Sequence, residues 1–227
     1  MHLDEKSARD SISCALLRGY GTAAGSASER EAAALRELEQ LRKLRALQNH
    51  VLCDCGQAPA GSYMDLAAYF EELFTAAELC IAGSGYNLQL KPGDGKPAFG
   101  HVNSRTIAHA AMNLLANALI YSTDKTARVS LESGKDLLLR AENNGEFDWR
   151  AVSVNMEKCG RGLCAVRAAA RAHGGRLWLT ERRGICTAAL ILPLSAADGA
   201  TPIPPPDCAD LLFDRVSSVH TGLADIR

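Results

Sequence analysis

Aromatic residues make up only 5% of the 227 residues, so any core must be built mainly from aliphatic side chains. Neither sign of charge is in excess: 25 basic against 26 acidic residues leave a net charge of −1, which gives no support for a nucleic-acid partner. No stretch approaches the roughly 20 apolar residues that span a bilayer. The N-terminus also lacks the basic-then-apolar order of a signal peptide. We therefore expect a cytoplasmic protein with no membrane span.

The eight cysteines are scattered, without a CxxC pair and without matching histidine spacing. This arrangement argues against the common zinc sites and favours reduced, mostly buried thiols. The pair in Cys53-Asp54-Cys55 leaves a redox or metal role open as an alternative. A hydrophobic content of 47% and a charged content of 22% are typical of a folded globular protein.

The N-terminal quarter of the chain is predicted to form two helices. Residues 1–24 carry one apolar stripe, and a capping-box pattern from Ser28 to Glu31 begins a long helix that runs to about Leu52. The long helix has leucines along one side and dense charge elsewhere. We therefore expect an antiparallel helical hairpin over residues 1–56. Because a lone hairpin buries its apolar sides poorly, a homodimeric four-helix bundle is favoured, with packing on its own chain as the alternative.

The middle of the chain alternates between helical and strand periodicity. Helices are predicted over 63–82, 103–121 and 161–173, and strands over 86–90, 99–102, 127–131, 137–141, 176–180 and 186–192. This order predicts an α+β fold, a two-layer α/β sandwich over residues 63–194. Residues 195–227 are predicted to be a Pro-rich linker followed by a C-terminal tail of some apolar character. Whether that tail docks on the body is left open.

The helix after Asn103 has an unusual polar side. His109, Asn113, Asn117 and Tyr121 are spaced by four residues and therefore share one face. An asparagine carbonyl oxygen is a hard ligand that suits Mg²⁺ and adds no charge beside a triphosphate. Asn113 and Asn117 therefore indicate a metal site, with solvated surface asparagines as the alternative.

Two glycine-containing motifs follow later in the chain. Asn143-Asn144-Gly145 comes after a hydrophobic strand, and Gly160-Arg161-Gly162-Leu163 opens a helix. A Gly-x-Gly at a helix start lets backbone N–H groups and the positive helix end approach phosphates. Either motif alone is a weak signal, because turns and caps use glycine widely. Together with the asparagine helix, in this order, they favour a nucleotide site.

These motifs resemble the ATP-binding domain shared by sensor histidine kinases, gyrase-type ATPases and MutL, and the histidine-kinase branch is the most similar. The resemblance covers about residues 63–194: residues 113–122 look like the asparagine box, 160–166 like the second glycine box, and 190–194 like the last strand. It implies ATP and Mg²⁺ as cofactors, a role in two-component signal transduction, and a response regulator as partner. The hairpin then lies where the family keeps its dimerisation and phosphoacceptor helices.

The resemblance also implies how the base and the metal are held. Asn117 would bind Mg²⁺ with Asn113 beside it, and Tyr121 would lie against the adenine or ribose. The family's first glycine box, Asp-x-Gly-x-Gly, is here Asn143-Asn144-Gly145-Glu146-Phe147. Asn143 can still accept from the adenine amino group, but a neutral hydrogen bond is worth about 1 kcal/mol against about 1.5–3 kcal/mol for a charged one. Weaker adenine binding is therefore expected.

On the phosphate side, the resemblance implies that Gly160, Gly162 and the N–H groups around Leu163 face the phosphates. Two departures affect this side. Ile120 stands where the family often has a basic residue, and the segment from 147 to 159 is short for an ATP lid.

The chain has no clear phosphoacceptor histidine. The family places it on the first hairpin helix, usually before an acidic residue, whereas His2 precedes Leu3 at the extreme terminus and His50 lies on the second helix. His2 is the catalytic candidate, with an ordinary terminal residue as the alternative. His109 falls where the family commonly has an acidic or polar residue thought to help the attacking group, with a partly exposed helix histidine as the alternative.

Three functions stay open at this point. The first is a histidine kinase that phosphorylates its own histidine by in-line phosphoryl transfer and passes the phosphate to a response regulator. The second is a catalytically impaired regulatory module that dimerises and docks a partner, which the altered glycine box and the doubtful acceptor favour. The third is a serine kinase of the anti-sigma type, which shares the ATP fold but normally lacks the hairpin.

Overall fold

The computed structural model describes residues 27–54, 61–91, 93–145, 160–196 and 200–226. The first predicted helix with His2, and the whole of the segment 147–159 compared with an ATP lid, lie outside the described residues. The described helices are α1 (Ala27–Asp54), α2 (Leu66–Ile81), α3 (Ser104–Ile120), α4 (Arg161–Ala172), α5 (Cys208–Phe213) and α6 (Ser218–Gly222). The described strands are β1 (Ser62–Asp65), β2 (Asn87–Lys91), β3 (Phe99–Val102), β4 (Thr126–Ser133), β5 (Asp136–Asn144), β6 (Arg176–Arg182) and β7 (Ile185–Pro193).

Five of these strands form one sheet in the order β2-β4-β5-β7-β6. β2 and β4 are parallel, and the other neighbours are antiparallel. Side chains in β4 and β5 alternate between buried and half-buried along most of their length, as expected for a sheet with one covered face. The helices α2, α3 and α4 cover that face. The predicted two-layer α+β architecture is confirmed.

The middle helix, α3, begins where the sequence predicted a cap. The side chain of Asn103 accepts from the backbone N–H of Thr106 at 3.0 Å, which satisfies one of the first unpaired donors of the helix. The backbone N–H of Asn103 in turn donates to Nε2 of His173, just after α4, at 3.0 Å. The start of α3 is therefore tied to the end of α4, and these two helices hold the glycine and asparagine motifs.

The start of the domain differs from the prediction. Residues 63–65, predicted to be helical, belong to β1, which pairs antiparallel with β3. The ring of Tyr63 stacks on that of Phe99 with centroids 5.5 Å apart, a cross-strand contact that the helical pattern did not reveal. Asp65 then caps α2 by accepting from the N–H groups of Ala67 and Ala68. This cap explains why the helix begins at Leu66 rather than Tyr63.

The long helix α1 packs on α4 and α6. It begins at Ala27, so Ser28 lies in its first turn rather than at the predicted cap. Its buried side contains Leu41 and Leu44, each with 0% exposure, but also the polar residues Arg45 and Asn49. Leucine spacing predicted one apolar side, and the contact surface is instead part apolar and part polar.

The segment after the sheet, residues 200–226, docks on the body, and we call it the C-terminal segment. Its backbone joins the β1 region through a hydrogen bond from the N–H of Ile203 to the carbonyl of Tyr63 at 2.8 Å. Asp207 and Ser217 cap its two short helices. Its buried apolar residues are Val216, Val219, Leu223, Ala224 and Ile226. Among the helices of the described ranges, none combines the length and apolar character needed to cross a bilayer.

Candidate nucleotide site

An open cavity, with about 470 Å³ of empty space that is partly open to solvent, lies between α3, α4 and the strands β5, β6 and β7. Its walls are mostly apolar, and Asn117, Tyr121, Asn143, Thr180 and Thr187 add polar groups. Mostly apolar walls with a few convergent polar groups are typical of small-molecule sites. The fold therefore brings the asparagine helix and the Asn143 motif, which are distant in sequence, to one cavity.

Asn143 is held in one orientation. Its side-chain Nδ2 donates to the backbone carbonyl of Tyr121 at 3.2 Å. Because a carbonyl can only accept, this contact assigns the amide nitrogen to Tyr121 and leaves the Oδ1 atom as an acceptor. Asn143 is 6% exposed and lines the cavity, so it presents an uncharged acceptor to a bound ligand.

Gly145 permits a close approach between the end of β5 and the end of α3. A Cβ atom at this position would lie 2.5 Å from the carbonyl oxygen of Tyr121 and 2.9 Å from Nδ2 of Asn143. The carbonyl of Gly145 also accepts from Sγ of Cys186 at 3.2 Å. Gly145 thus braces the rim around Asn143, and its role in the structure is backbone packing.

The second glycine motif lies beside the asparagines. A Cβ atom on Gly162 would be 3.5 Å from Oδ1 of Asn113 and 3.8 Å from Nδ2 of Asn117. The N–H of Leu163 donates to the carbonyl of Gly160 at 3.0 Å, so it is already used within the first turn. The helix N-terminus therefore offers its earlier N–H groups to an anion, and Leu163 contributes its side chain to the cavity wall.

The two asparagines of α3 are in different environments. Asn117 is half-buried and lines the cavity. Asn113 is 0% exposed, and both ends of its amide are occupied. Its Oδ1 accepts from Nε and Nη2 of Arg45 at 3.2 and 3.1 Å, and its Nδ2 donates to Oδ1 of Asn49 at 2.7 Å.

His109 belongs to the same buried cluster. Its Nε2 lies 2.9 Å from Oδ1 of Asn49, which as an acceptor requires the proton to be on Nε2. Burial lowers the pKa of His109 to about 3, and the positive charges of Arg45 and Arg105 act in the same direction. His109 is therefore neutral near pH 7. Its Nδ1 atom has no hydrogen-bond partner within the described part of the chain.

Arg45 joins this cluster to the C-terminal segment. Its Nη1 donates to Oδ2 of Asp225 at 2.8 Å, while Oδ1 of Asp225 accepts from Nε of Arg42 at 2.8 Å. Burial lowers the pKa of the Arg45 guanidinium from its ordinary value, and the charge and hydrogen bond of Asp225 oppose that shift. The carboxylate thus compensates a buried positive charge.

Only one of the two predicted metal ligands suits a divalent cation in this arrangement. The carbonyl oxygen of Asn113 is fully buried and bound to a guanidinium, so a metal could not reach it. Asn117 is at the cavity edge, and one protein oxygen together with phosphates and water is a common set of ligands for Mg²⁺. The Mg²⁺ site stays a prediction, and the geometry supports it at Asn117.

Solved structures share this fold. The chain matches the Acinetobacter baumannii histidine kinase AdeS with 17% identity and a TM-score of 0.55, over 83% of this chain and 96% of that one. It matches the ATP-binding domain of PrrB from Mycobacterium tuberculosis with 21% identity and a TM-score of 0.50, over 60% and 98% of the two chains. It matches the catalytic domain of the histidine kinase ThkA with 16% identity and a TM-score of 0.51, over 59% of this chain and 95% of that one.

No protein-family profile and no curated protein sequence matches the chain. At these identities, the structural likeness establishes the fold. The chain contains a domain with the fold of histidine-kinase ATP-binding domains, preceded by a helix.

Sequence reasoning placed the cavity residues on the right elements but missed the partners of the asparagine helix. Arg45 and Asn49 are one turn apart on α1, in step with Leu41, and they meet His109 and Asn113, which are one turn apart on α3. The spacing of Leu41, Arg45 and Asn49 was the available signal. Without the partner helix, the same spacing is typical of polar side chains that face solvent.

Proposed function

We propose that this chain is a histidine-kinase-like signalling protein whose cavity binds an adenine nucleotide. The observation that carries the proposal is the mostly apolar cavity with Asn143 and Asn117 both on its lining. Apolar walls suit the faces of a purine ring, and a few placed polar groups orient it.

The base is oriented by Asn143. Its Oδ1 atom is left as an acceptor because Tyr121 takes the amide nitrogen, so it can accept from an exocyclic amino group such as that of adenine. Phosphates then extend towards Asn117 and the N-terminus of α4, where backbone N–H groups favour anions. Mg²⁺, when bound, would neutralise the phosphates, with Asn117 as its ligand from this chain.

The sealed environment of His109 and Asn113 favours a regulatory module over an active kinase. Both side chains are buried under α1, and His109 is neutral with its Nε2 bound to Asn49. Neither can approach a bound phosphate while α1 stays in place. We therefore infer nucleotide binding with impaired phosphoryl transfer. Dimerisation through the hairpin and docking to a response regulator are parts of the same proposal.

Calorimetric titration of the full chain with adenosine tests the base pocket, since adenosine makes no demand on the phosphate side. Asn143→Leu removes the acceptor at similar volume and is expected to weaken binding by about fivefold, which corresponds to the roughly 1 kcal/mol of a neutral hydrogen bond. Asn144→Ala is the matched control, because the side chain of Asn144 bonds to Asp124 and Arg128 rather than lining the cavity. Absence of any heat with adenosine at millimolar concentration would refute the proposed pocket.

Incubation with ATP labelled at the γ-phosphate tests the stronger alternative, a histidine kinase. Acid-labile label that disappears in a His2→Ala variant supports a kinase. Absence of label, together with binding of adenosine, supports the regulatory module.

A further inference from the structure

The C-terminal segment holds α1 on the domain by two kinds of contact. Val219 and Leu223, both 0% exposed, pack into the main core beside α3. Val216 and Ala224 form a smaller apolar cluster with the leucines of α1. At its end, Asp225 binds both arginines on the facing side of α1, each through a 2.8 Å hydrogen bond. The segment therefore bridges α1 and α3.

What this bridge holds in place is Arg45 beside Asn113. The guanidinium covers the carbonyl oxygen of Asn113, and Asn49 covers the amide nitrogen. Gly162 at the start of α4 lies against Oδ1 of Asn113 and near Asn117. Arg45 thus lies next to the end of the cavity where the phosphates of a bound nucleotide would extend.

We propose that the C-terminal segment is an autoinhibitory strap, which keeps α1 docked on the asparagine helix and thereby opposes binding of a nucleoside polyphosphate. The proposal rests on the proposed function, since it concerns the phosphate side of the same cavity. A nucleoside without phosphates needs only the base pocket, so the strap leaves its affinity unchanged. A polyphosphate needs the space beside Asn113 and competes with α1.

Competition of this kind is reciprocal. If docking of α1 weakens polyphosphate binding, then a bound polyphosphate must weaken docking of α1 by the same factor. Loosening of α1 by ATP is therefore a signal that a partner protein could read at the hairpin. The triphosphate is the ligand expected to loosen α1, and adenosine, which has no phosphates, is the control ligand.

The first experiment compares Asp225→Asn with Asp210→Asn in the full chain. Asp210 lies in the same segment, is exposed, and has no side-chain hydrogen bond within the described residues, so it reports on the loss of a charge alone. Titration with ATP and with adenosine is expected to show about threefold to tenfold tighter ATP binding for Asp225→Asn, because its carboxylate is part exposed and thus partly screened. Adenosine affinity is expected to match that of Asp210→Asn.

The Arg45→Met variant distinguishes two roles for Arg45: holding α1 against polyphosphate binding, and binding the phosphates directly. A strap predicts tighter ATP binding once the guanidinium is gone. An Arg45 that binds phosphates directly predicts weaker ATP binding in this variant, and that result would overturn the proposal.

Hydrogen exchange of the backbone amides of α1 gives a readout independent of affinity. We expect faster exchange between residues 41 and 49 in Asp225→Asn than in Asp210→Asn, and in the wild type when ATP is added but not adenosine. Unchanged exchange and unchanged ATP affinity in Asp225→Asn would overturn the strap while leaving the adenosine pocket intact. Absence of adenosine binding in the wild type and in every variant would instead refute the proposed function, and the autoinhibitory strap would be refuted as well.

Discussion

Substitution of Gly222 by alanine should detach or strain the C-terminal segment. Gly222 lies at the end of α6, where that helix crosses α3. A Cβ atom built there would collide with Cβ of Met112 and lie 3.1 Å from its Cγ. Carbon atoms pack best at about 3.5–4.0 Å. Since Met112 is 0% exposed and its Cβ is fixed to the backbone, a change of rotamer cannot relieve the collision.

The expected cost follows from this geometry. Overpacking of a buried contact destabilises by about 1–3 kcal/mol. For a protein of this size, each kcal/mol lowers the melting temperature by about 2–4 °C. Gly222→Ala should therefore lower the melting temperature by about 4–8 °C, for a cost near the middle of that range. If the C-terminal segment detaches from the domain instead of staying docked under strain, the effect appears as faster hydrogen exchange of the backbone amides of α1.

Thermal unfolding followed by circular dichroism measures the first outcome, and hydrogen exchange measures the second. Gly134→Ala is the control, because the nearest atom to its added Cβ would be 4.0 Å away, in the turn between β4 and β5. If Gly222→Ala melts with the wild type and leaves the exchange of α1 unchanged, the packing of α6 on Met112 is refuted.

Two further perturbations test other parts of the structure. His109 has a pKa of about 3 when folded and about 6.5 when unfolded, so the unfolded chain takes up a proton first as pH falls. The free energy of unfolding should therefore fall between pH 7 and pH 5 by about 2 kcal/mol more than in His109→Gln, as measured by urea unfolding; equal slopes would contradict the burial of His109. Leu44→Ala should cost about 2–5 kcal/mol because Leu44 is 0% exposed under the C-terminal segment, whereas Leu35→Ala, at 61% exposure, should cost no more than about 0.5 kcal/mol in the same assay.

The sheet and the helices beneath it were predictable because their patterns are local. Strand β4 alternates polar and apolar residues, and α3 begins at a side chain that caps it in the structure as well. The prediction failed at Tyr63, where a cross-strand ring contact with Phe99 outweighs the helical pattern. That contact joins residues far apart in the chain, and no local period reports it.

Some residues of the candidate site were predictable from local motifs, and others were found only in the structure. Asn117 and Asn143 were singled out from motifs, and both line the cavity. Arg45, Asn49 and Asp225 were not singled out, since each looks like an ordinary charged or polar residue of a helix or tail. The roles of Asn117 and Asn143 as nucleotide ligands stay predictions. The same holds for His2 as phosphoacceptor and for the homodimer.

The sequence by itself determined the class of fold and singled out the residues proposed to bind the base, because hydrophobic period, caps and glycine motifs are properties of short segments. Only the tertiary structure decided what the asparagine helix faces. Arg45 reaches Asn113 across 68 residues of chain and Asp225 across 180, and contacts that distant depend on which surfaces the whole chain buries together. The helix side that the sequence predicted to bind a metal is, at Asn113, closed by a guanidinium and a second amide.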